Sequence, residues 1–87
     1  MKKAFETPYA VASMIAETPC RDGVLTSKVR AANPKHPESG RKRLREMARR
    51  FRLMTGQVPY HYEDNRFFPT GPFKKYCRAE MRRYEQS

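Results

Sequence analysis

Four side chains of this sequence have the chemistry of metal ligands or of a nucleophile and its base: Cys20, His36, His61 and Cys77. No two of them have the Cys-x-x-Cys or His-x-x-x-His spacing of a local zinc site, so a metal ion would need ligands from separate segments. Two cysteines do not make a disulfide framework, and a cysteine on the apolar face of a helix is more typical of packing than of catalysis. We therefore predict no metal, no cofactor and no catalytic residue.

A nuclease is the strongest enzyme alternative. Small ribosome-dependent RNA-cleaving toxins have this size and charge, and Arg, Lys, Tyr or His side chains can act around a scissile phosphate without a metal. The candidates for such roles are Tyr60, His61, Tyr62, Arg66 and Tyr84. Such toxins are built on a sheet of several strands, whereas this sequence predicts one short strand. We therefore predict that the protein is not an enzyme.

Positive charge is concentrated in one segment of the chain. The chain holds 19 Lys and Arg against 9 Asp and Glu, for a net charge of +10. Residues 40–54 alone contain seven bases and one acid, and residues 73–87 contain five bases and two acids. Like charges within one helix repel one another, whereas Arg forms forked hydrogen bonds with phosphate. The pattern predicts a polyanion-binding surface, with DNA and RNA both open as the ligand. The predicted binding residues are Arg41, Lys42, Arg43, Arg45, Arg49, Arg50, Arg52, Lys74, Lys75, Arg78 and Arg82.

Two tyrosines near the cationic segment suit the stacking of bases. Tyr60 and Tyr62 are two residues apart, so an extended backbone places both on one face with Val58. Such a face can stack exposed bases, as in proteins that bind single strands, or it can belong to the core. We retain both interpretations.

A second class of partner fits the same cations. A basic helix with Leu, Met and Phe on one side is also typical of segments that dock on an acidic protein groove. The alternative function is therefore a non-enzymatic modulator or inhibitor, of bacterial or phage type, that binds an acidic partner such as a nucleic-acid-processing enzyme. A membrane surface is a weaker alternative because the apolar stripe is needed for the core, and a solvated outer face is the plainest one.

The first third of the chain offers a weak match to a helix-turn-helix. Its predicted helices cover 9–17 and 26–32, and Lys28 and Arg30 would face DNA from the second. The connection between them is about twice the usual length, so we do not favour this interpretation.

The elements that must position these side chains are mainly helical. Helices are predicted near 8–17, 26–32, 40–55 and 72–85, with a loop over 33–39 and one short extended segment near 58–63. Over the third helix, Leu44, Met47, Ala48, Phe51 and Met54 share one face, which predicts that they are buried together. Further boundary signals are Ser39 as an N-cap and Gly56 as a terminator, while Phe67-Phe68-Pro69 resembles an apolar loop.

Length and composition limit the fold. Leu, Ile, Val and Phe number only 13 of 87 residues, which limits the size of the core. No window is apolar enough for a membrane span, and a charged start without a long apolar run favours a cytoplasmic protein. We predict a small, mainly α single domain over 1–87, with three to four helices.

Overall fold

The computed structural model describes residues 6–86. Its helices are α1 (Glu6–Glu17), α2 (Thr26–Ala31), α3 (Pro37–Thr55) and α4 (Gly71–Gln86), and its strands are β1 (Val24–Leu25), β2 (Tyr60–Glu63) and β3 (Arg66–Pro69). The predicted mainly α fold is confirmed, with four helices and one compact core. Residues 1–5 and 87, which the predicted domain includes, lie outside the described residues.

Helix α3 is longer than the sequence predicted. It begins at Pro37, so the predicted loop over 33–39 is wrong in its last three residues, and Ser39 lies inside the helix instead of capping it. Proline suits the first turn of a helix because its missing N–H has no partner to find there. The helix ends at Gly56 as predicted. This glycine has φ 70°, and its N–H donates to the Arg52 carbonyl.

Three short antiparallel strands form one sheet in the order β1-β3-β2. Asp64 and Asn65 connect β2 to β3 with φ 52° and 61°, which is the backbone that a tight two-residue hairpin requires. The predicted extended segment is present from Tyr60 onward, and β1 and β3 were not predicted. Interpreting Phe67-Phe68-Pro69 as a loop was wrong, because all three residues pair with β2 and Phe67 also pairs with β1.

The core lies between the four helices and the inner face of the sheet. Phe51 of α3 packs edge-on against Phe73 of α4, with ring centroids 5.3 Å apart, and against Tyr76 at 5.7 Å. The predicted apolar face of α3 is buried from Leu44 to Phe51, but Met54 is 72% exposed. The last turn of α3 therefore extends beyond the core. The buried apolar side chains are Val11, Ala12, Ile15, Ala16, Val24, Val29, Leu44, Met47, Ala48, Phe51, Phe67, Phe73 and Cys77.

Helices α2 and α3 cross at a glycine. A side chain at Gly40 would collide with the backbone carbonyl of Val29, so only glycine permits this approach of the two backbones. The contact fixes the start of α3, and with it the direction in which the rest of the helix points.

Helix α1 runs antiparallel to α4 and is tied to it at both ends. The Tyr9 hydroxyl donates to Glu85 Oε2 at 2.8 Å, and Arg78 Nη2 donates to the Ala16 carbonyl at 3.0 Å. The second bond satisfies a carbonyl in the last turn of α1, where no further helical N–H is available.

Candidate nucleic-acid interface

One face of α3 carries a continuous row of cations. The row has five cationic side chains. At about 100° per residue they cover an arc of roughly 100° on the helix surface, beside the buried face. Arg41 is partly buried, and the other four are exposed. Among the side chains of residues 7–86, no acidic group forms an ion pair with any of the five. We call this row the α3 cationic face; it consists of Arg41, Lys42, Arg45, Arg49 and Arg52.

The other two predicted cations of α3 lie on its opposite border and have acidic partners. Arg43 Nη1 is 3.3 Å from Glu46 Oε1, one turn along the same helix. Arg50 Nη1 is 3.9 Å from Glu80 Oε1 of α4, and Glu80 also accepts a hydrogen bond of 2.8 Å from Arg83. These two arginines therefore hold the structure together as well as contributing charge.

The predicted cations of α4 do not join the α3 cationic face. Helix α4 turns Phe73 and Tyr76 toward α3, and the periodicity of about 100° per residue places Lys75 and Arg82 on its outer side. Lys74 and Arg78 lie on the border nearer α1, where Arg78 binds the Ala16 carbonyl. The eleven predicted cations are thus divided among several surfaces.

A small cleft separates α3 from the β2–β3 hairpin and opens beside the α3 cationic face. Its volume is about 160 Å³. Two buried side chains form its floor, and two arginines and two tyrosines form its walls. We call it the hairpin cleft; it is lined by Arg41, Leu44, Arg45, Tyr60, Tyr62 and Phe67.

The hairpin separates the two predicted stacking residues by burial. Tyr60 is half-buried and packs edge-on against Phe67, with ring centroids 5.1 Å apart. Burial raises the pKa of Tyr60, and the nearby charges of Arg52, Arg45 and Arg41 partly oppose that rise. Tyr60 therefore belongs mainly to the core.

Tyr62 is the more accessible of the two. Its side chain is 47% exposed, and its ring centroid lies 4.7 Å from that of Phe67. The hydroxyl donates to Asn65 Oδ1 at 3.1 Å and lies 3.3 Å from Thr26 Oγ1. The ring is thus held in place while much of it faces solvent.

The nuclease alternative changes in one respect. Its rejection relied on a single strand, and that premise was wrong, because the sheet has three. The strand alternation, however, places His61 on the opposite face of β2 from Tyr60 and Tyr62. His61 lies beside Phe68 and 3.1 Å from Glu63. The histidine therefore does not share a surface with the tyrosines or with the hairpin cleft.

The structure gives little support to the helix-turn-helix alternative. The connection between α1 and α2 contains strand β1, and α2 has only six residues. A cavity of about 590 Å³ lies beside α2, and its cation, Arg30, is 3.9 Å from Glu38.

The candidate metal ligands do not form a cluster. Cys20 is exposed, whereas Cys77 is buried, and burial raises the pKa of the Cys77 thiol to about 12. A thiol held protonated is a poor ligand and a poor nucleophile. Among the side chains described, those of residues 7–86, no three His, Cys, Asp or Glu come together as a metal site. In the same part of the chain, no helix has the length and apolarity to cross a bilayer.

Sequence reasoning missed one exposed apolar feature. Leu53 is 77% exposed at the end of α3, next to Met54, and Val58 is exposed just beyond Gly56. The available signal was the position of Leu53, which lies off the apolar arc of the helix and one turn after Arg49.

Searches of protein-family models, of curated proteins and of solved structures find no match to this chain.

Proposed function

We propose that this protein binds nucleic acid through the α3 cationic face. The observation that supports the proposal most strongly is the row of five cations without acidic partners among the described residues. Unpaired Arg and Lys side chains remain free to displace counterions from phosphates, which is the main source of sequence-independent affinity. Neither catalysis nor a cofactor is part of the proposal.

The size of the face suits several consecutive phosphates. At about 1.5 Å of rise per residue, Arg41 and Arg52 are separated by roughly 16 Å along α3. A nucleic-acid strand advances about 3.4 Å per phosphate in a duplex, so this length corresponds to roughly five phosphates. The number of cations thus matches the number of phosphates over this length, and the packing of α3 against the core holds the helix in place.

The direct test is a titration of the purified protein with labelled nucleic acid at several salt concentrations. Contacts to five phosphates predict a log–log salt slope of about −4.5 for a duplex and about −3.5 for a single strand. A flat salt response with both ligands would contradict the proposal.

An acidic protein partner is the second candidate, and the exposed apolar side chains favour it. Leu53 lies one turn after Arg49, and Met54 and Val58 are exposed at the same end of α3, so an acidic groove with apolar contacts would engage both kinds of side chain. A pull-down from lysate with and without nuclease separates the two candidates. Retention of a stoichiometric protein partner after nuclease treatment supports this second candidate, and loss of every co-purifying protein supports nucleic acid.

A further inference from the structure

We infer that the hairpin cleft accepts one unpaired base of a single strand whose phosphates lie along the α3 cationic face. The inference rests on the proposed function and adds the form of the nucleic acid. It assigns the floor to Leu44 and Phe67, the stacking platform to Tyr62, and the rim to Arg41 and Arg45.

The volume and lining of the cleft suit a planar ring. The cleft measures about 160 Å³, and an engineered apolar cavity of about 150 Å³ is known to hold benzene. Leu44 and Phe67 are buried and apolar, so they offer an apolar contact to the face of a base when that face is removed from water. Arg41 and Arg45 line the cleft, so an inserted base would bring its neighbouring phosphates close to two groups that form forked hydrogen bonds with phosphate.

Tyr62 is preorganised for stacking. Its hydroxyl is bonded to Asn65, its ring rests against Phe67, and about half of the side chain is exposed. A ring already fixed in place loses little conformational freedom when a base stacks on it. Tyr60 is packed edge-on in the core and therefore forms a wall of the cleft.

The cleft discriminates between unpaired and paired bases by access. A base within a duplex is stacked on both faces and presents only its edges, so it must leave the helix before it can enter a cleft. A single strand has unstacked bases available, and every base has a face that can stack on tyrosine. We therefore expect single strands to bind more tightly than duplexes at equal salt.

Fluorescence anisotropy with labelled oligonucleotides of about 12 nucleotides tests the inference. The ligands are single-stranded DNA, single-stranded RNA and duplex DNA of one sequence, and the proteins are wild type, Tyr62→Ala and Tyr62→Phe. Loss of one stacked base should weaken single-strand binding by about 5- to 150-fold in Tyr62→Ala and leave duplex binding and the salt slope unchanged. Tyr62→Phe keeps the ring and should remain within about twofold of wild type. Either sugar in the responding single strand supports the inference.

An oligonucleotide with abasic sites is the matched ligand control. Wild type should bind it as weakly as Tyr62→Ala binds the intact strand, and Tyr62→Ala should not distinguish the two strands. Circular dichroism and a thermal melt check that both variants fold. Equal binding of intact and abasic strands by wild type, or a Tyr62→Phe variant as weak as folded Tyr62→Ala, would overturn the cleft assignment.

The experiment separates failure of the inference from failure of the proposed function. Salt-dependent binding that ignores Tyr62 and the bases overturns only the cleft assignment. Absence of salt-dependent binding to all three ligands overturns the proposed function and the cleft assignment together. Arg49→Gln, which lies outside the cleft, should weaken binding to single strands and duplexes alike and reduce the salt slope by about one unit.

Discussion

Helices α3 and α4 each bury an apolar face and carry several Arg and Lys, yet the cations of the two helices have different surroundings. On α3, five of them form one row without acidic partners among residues 7–86. On α4, Arg78 binds the end of α1, and the buried Glu80 draws Arg83 and the α3 residue Arg50 together.

The difference teaches that a basic amphipathic pattern has two structural uses. Part of the charge fastens helices to one another, where each cation has a partner at close range. The remainder stays free and keeps the electrostatic potential of one surface positive. Composition alone does not separate these uses, because both helices have the same alternation of apolar and basic residues.

The largest expected effects concern what the two helices share. Phe51→Ala and Phe73→Ala each remove one ring of the same buried pair, so each should lower the free energy of unfolding by about 3–5 kcal/mol in urea titrations. Leu53→Ala on exposed α3 surface is the control and should cost less than about 0.5 kcal/mol. A cost below about 1 kcal/mol for one ring only would mean that the two apolar faces are not equivalent.

The cationic faces, in contrast, should not be equivalent. Arg45→Gln/Arg49→Gln removes two phosphate contacts from α3. It should weaken binding at 0.1 M salt about 60-fold for a duplex and about 25-fold for a single strand, since each contact contributes about 0.9 or about 0.7 to the log–log slope. Lys75→Gln/Arg82→Gln removes the same charge from the outer side of α4 and should weaken binding less than about threefold, through the long-range field alone.

Anisotropy titrations of both double variants at several salt concentrations measure this difference. For the α3 variant the magnitude of the slope should fall by about 1.8 with a duplex and by about 1.4 with a single strand. Equal losses from the two double variants would remove the distinction between the helices and indicate a diffuse attraction to net charge.

The acidic residues give a smaller comparison. Glu80→Gln abolishes charge at a buried position that serves Arg50 and Arg83, so it should lower stability by about 1 kcal/mol, a value reduced because both arginines can reach water. Glu46→Gln breaks only a pair within α3 and should cost about 0.3 kcal/mol. Chemical denaturation of both variants provides the check, and a larger loss for Glu46→Gln would contradict the structural role given to Glu80.

The last effect is absent at neutral pH and grows only in alkaline solution. Burial raises the pKa of the Cys77 thiol from 9.0 to about 12, and burial also raises the pKa of Tyr76 on the same helix. Folding favours the protonated forms, so their contribution is complete below about pH 9 and is lost as pH rises toward 12. Stability should therefore fall over that window.

Denaturation midpoints measured between pH 8 and pH 12 test this pH dependence of stability. Cys77→Ala should have a shallower fall than wild type, whereas Cys20→Ala, at an exposed thiol, should follow wild type. A thiol reagent at pH 8 should modify Cys20 readily and Cys77 only as the protein opens.

The periodic parts of the fold were predictable from sequence. Helix α3 follows from its apolar stripe, and its end follows from Gly56. Strand β3 was missed because Phe67 and Phe68 interrupt the alternation and Pro69 argues against pairing. Strand β1 has two residues and exists through its pairing with β3, so no local pattern could reveal it.

The sequence was sufficient to predict which cations belong to the candidate site, but not which of them share one surface. The charge count locates Arg45 and Arg49, and their position on one face follows from helical geometry. The partners of Arg50 and Arg78 come from other helices, so only the tertiary fold separates these two from the free cations. The different burial of Tyr60 and Tyr62 likewise depends on how the hairpin lies against α3.

The central position of β3 in the sheet also has a kinetic consequence. Its pairing with β2 crosses a two-residue turn, and hairpins of this kind close in microseconds. Its pairing with β1 brings Val24 to Phe67, across roughly 40 residues of chain that include all of α3. The packing of α1 on α4, which joins Tyr9 to Glu85, is a second closure that spans most of the chain. The fold therefore depends on two distant closures, of the kind that slows folding, as well as on the local contacts within its helices and hairpin.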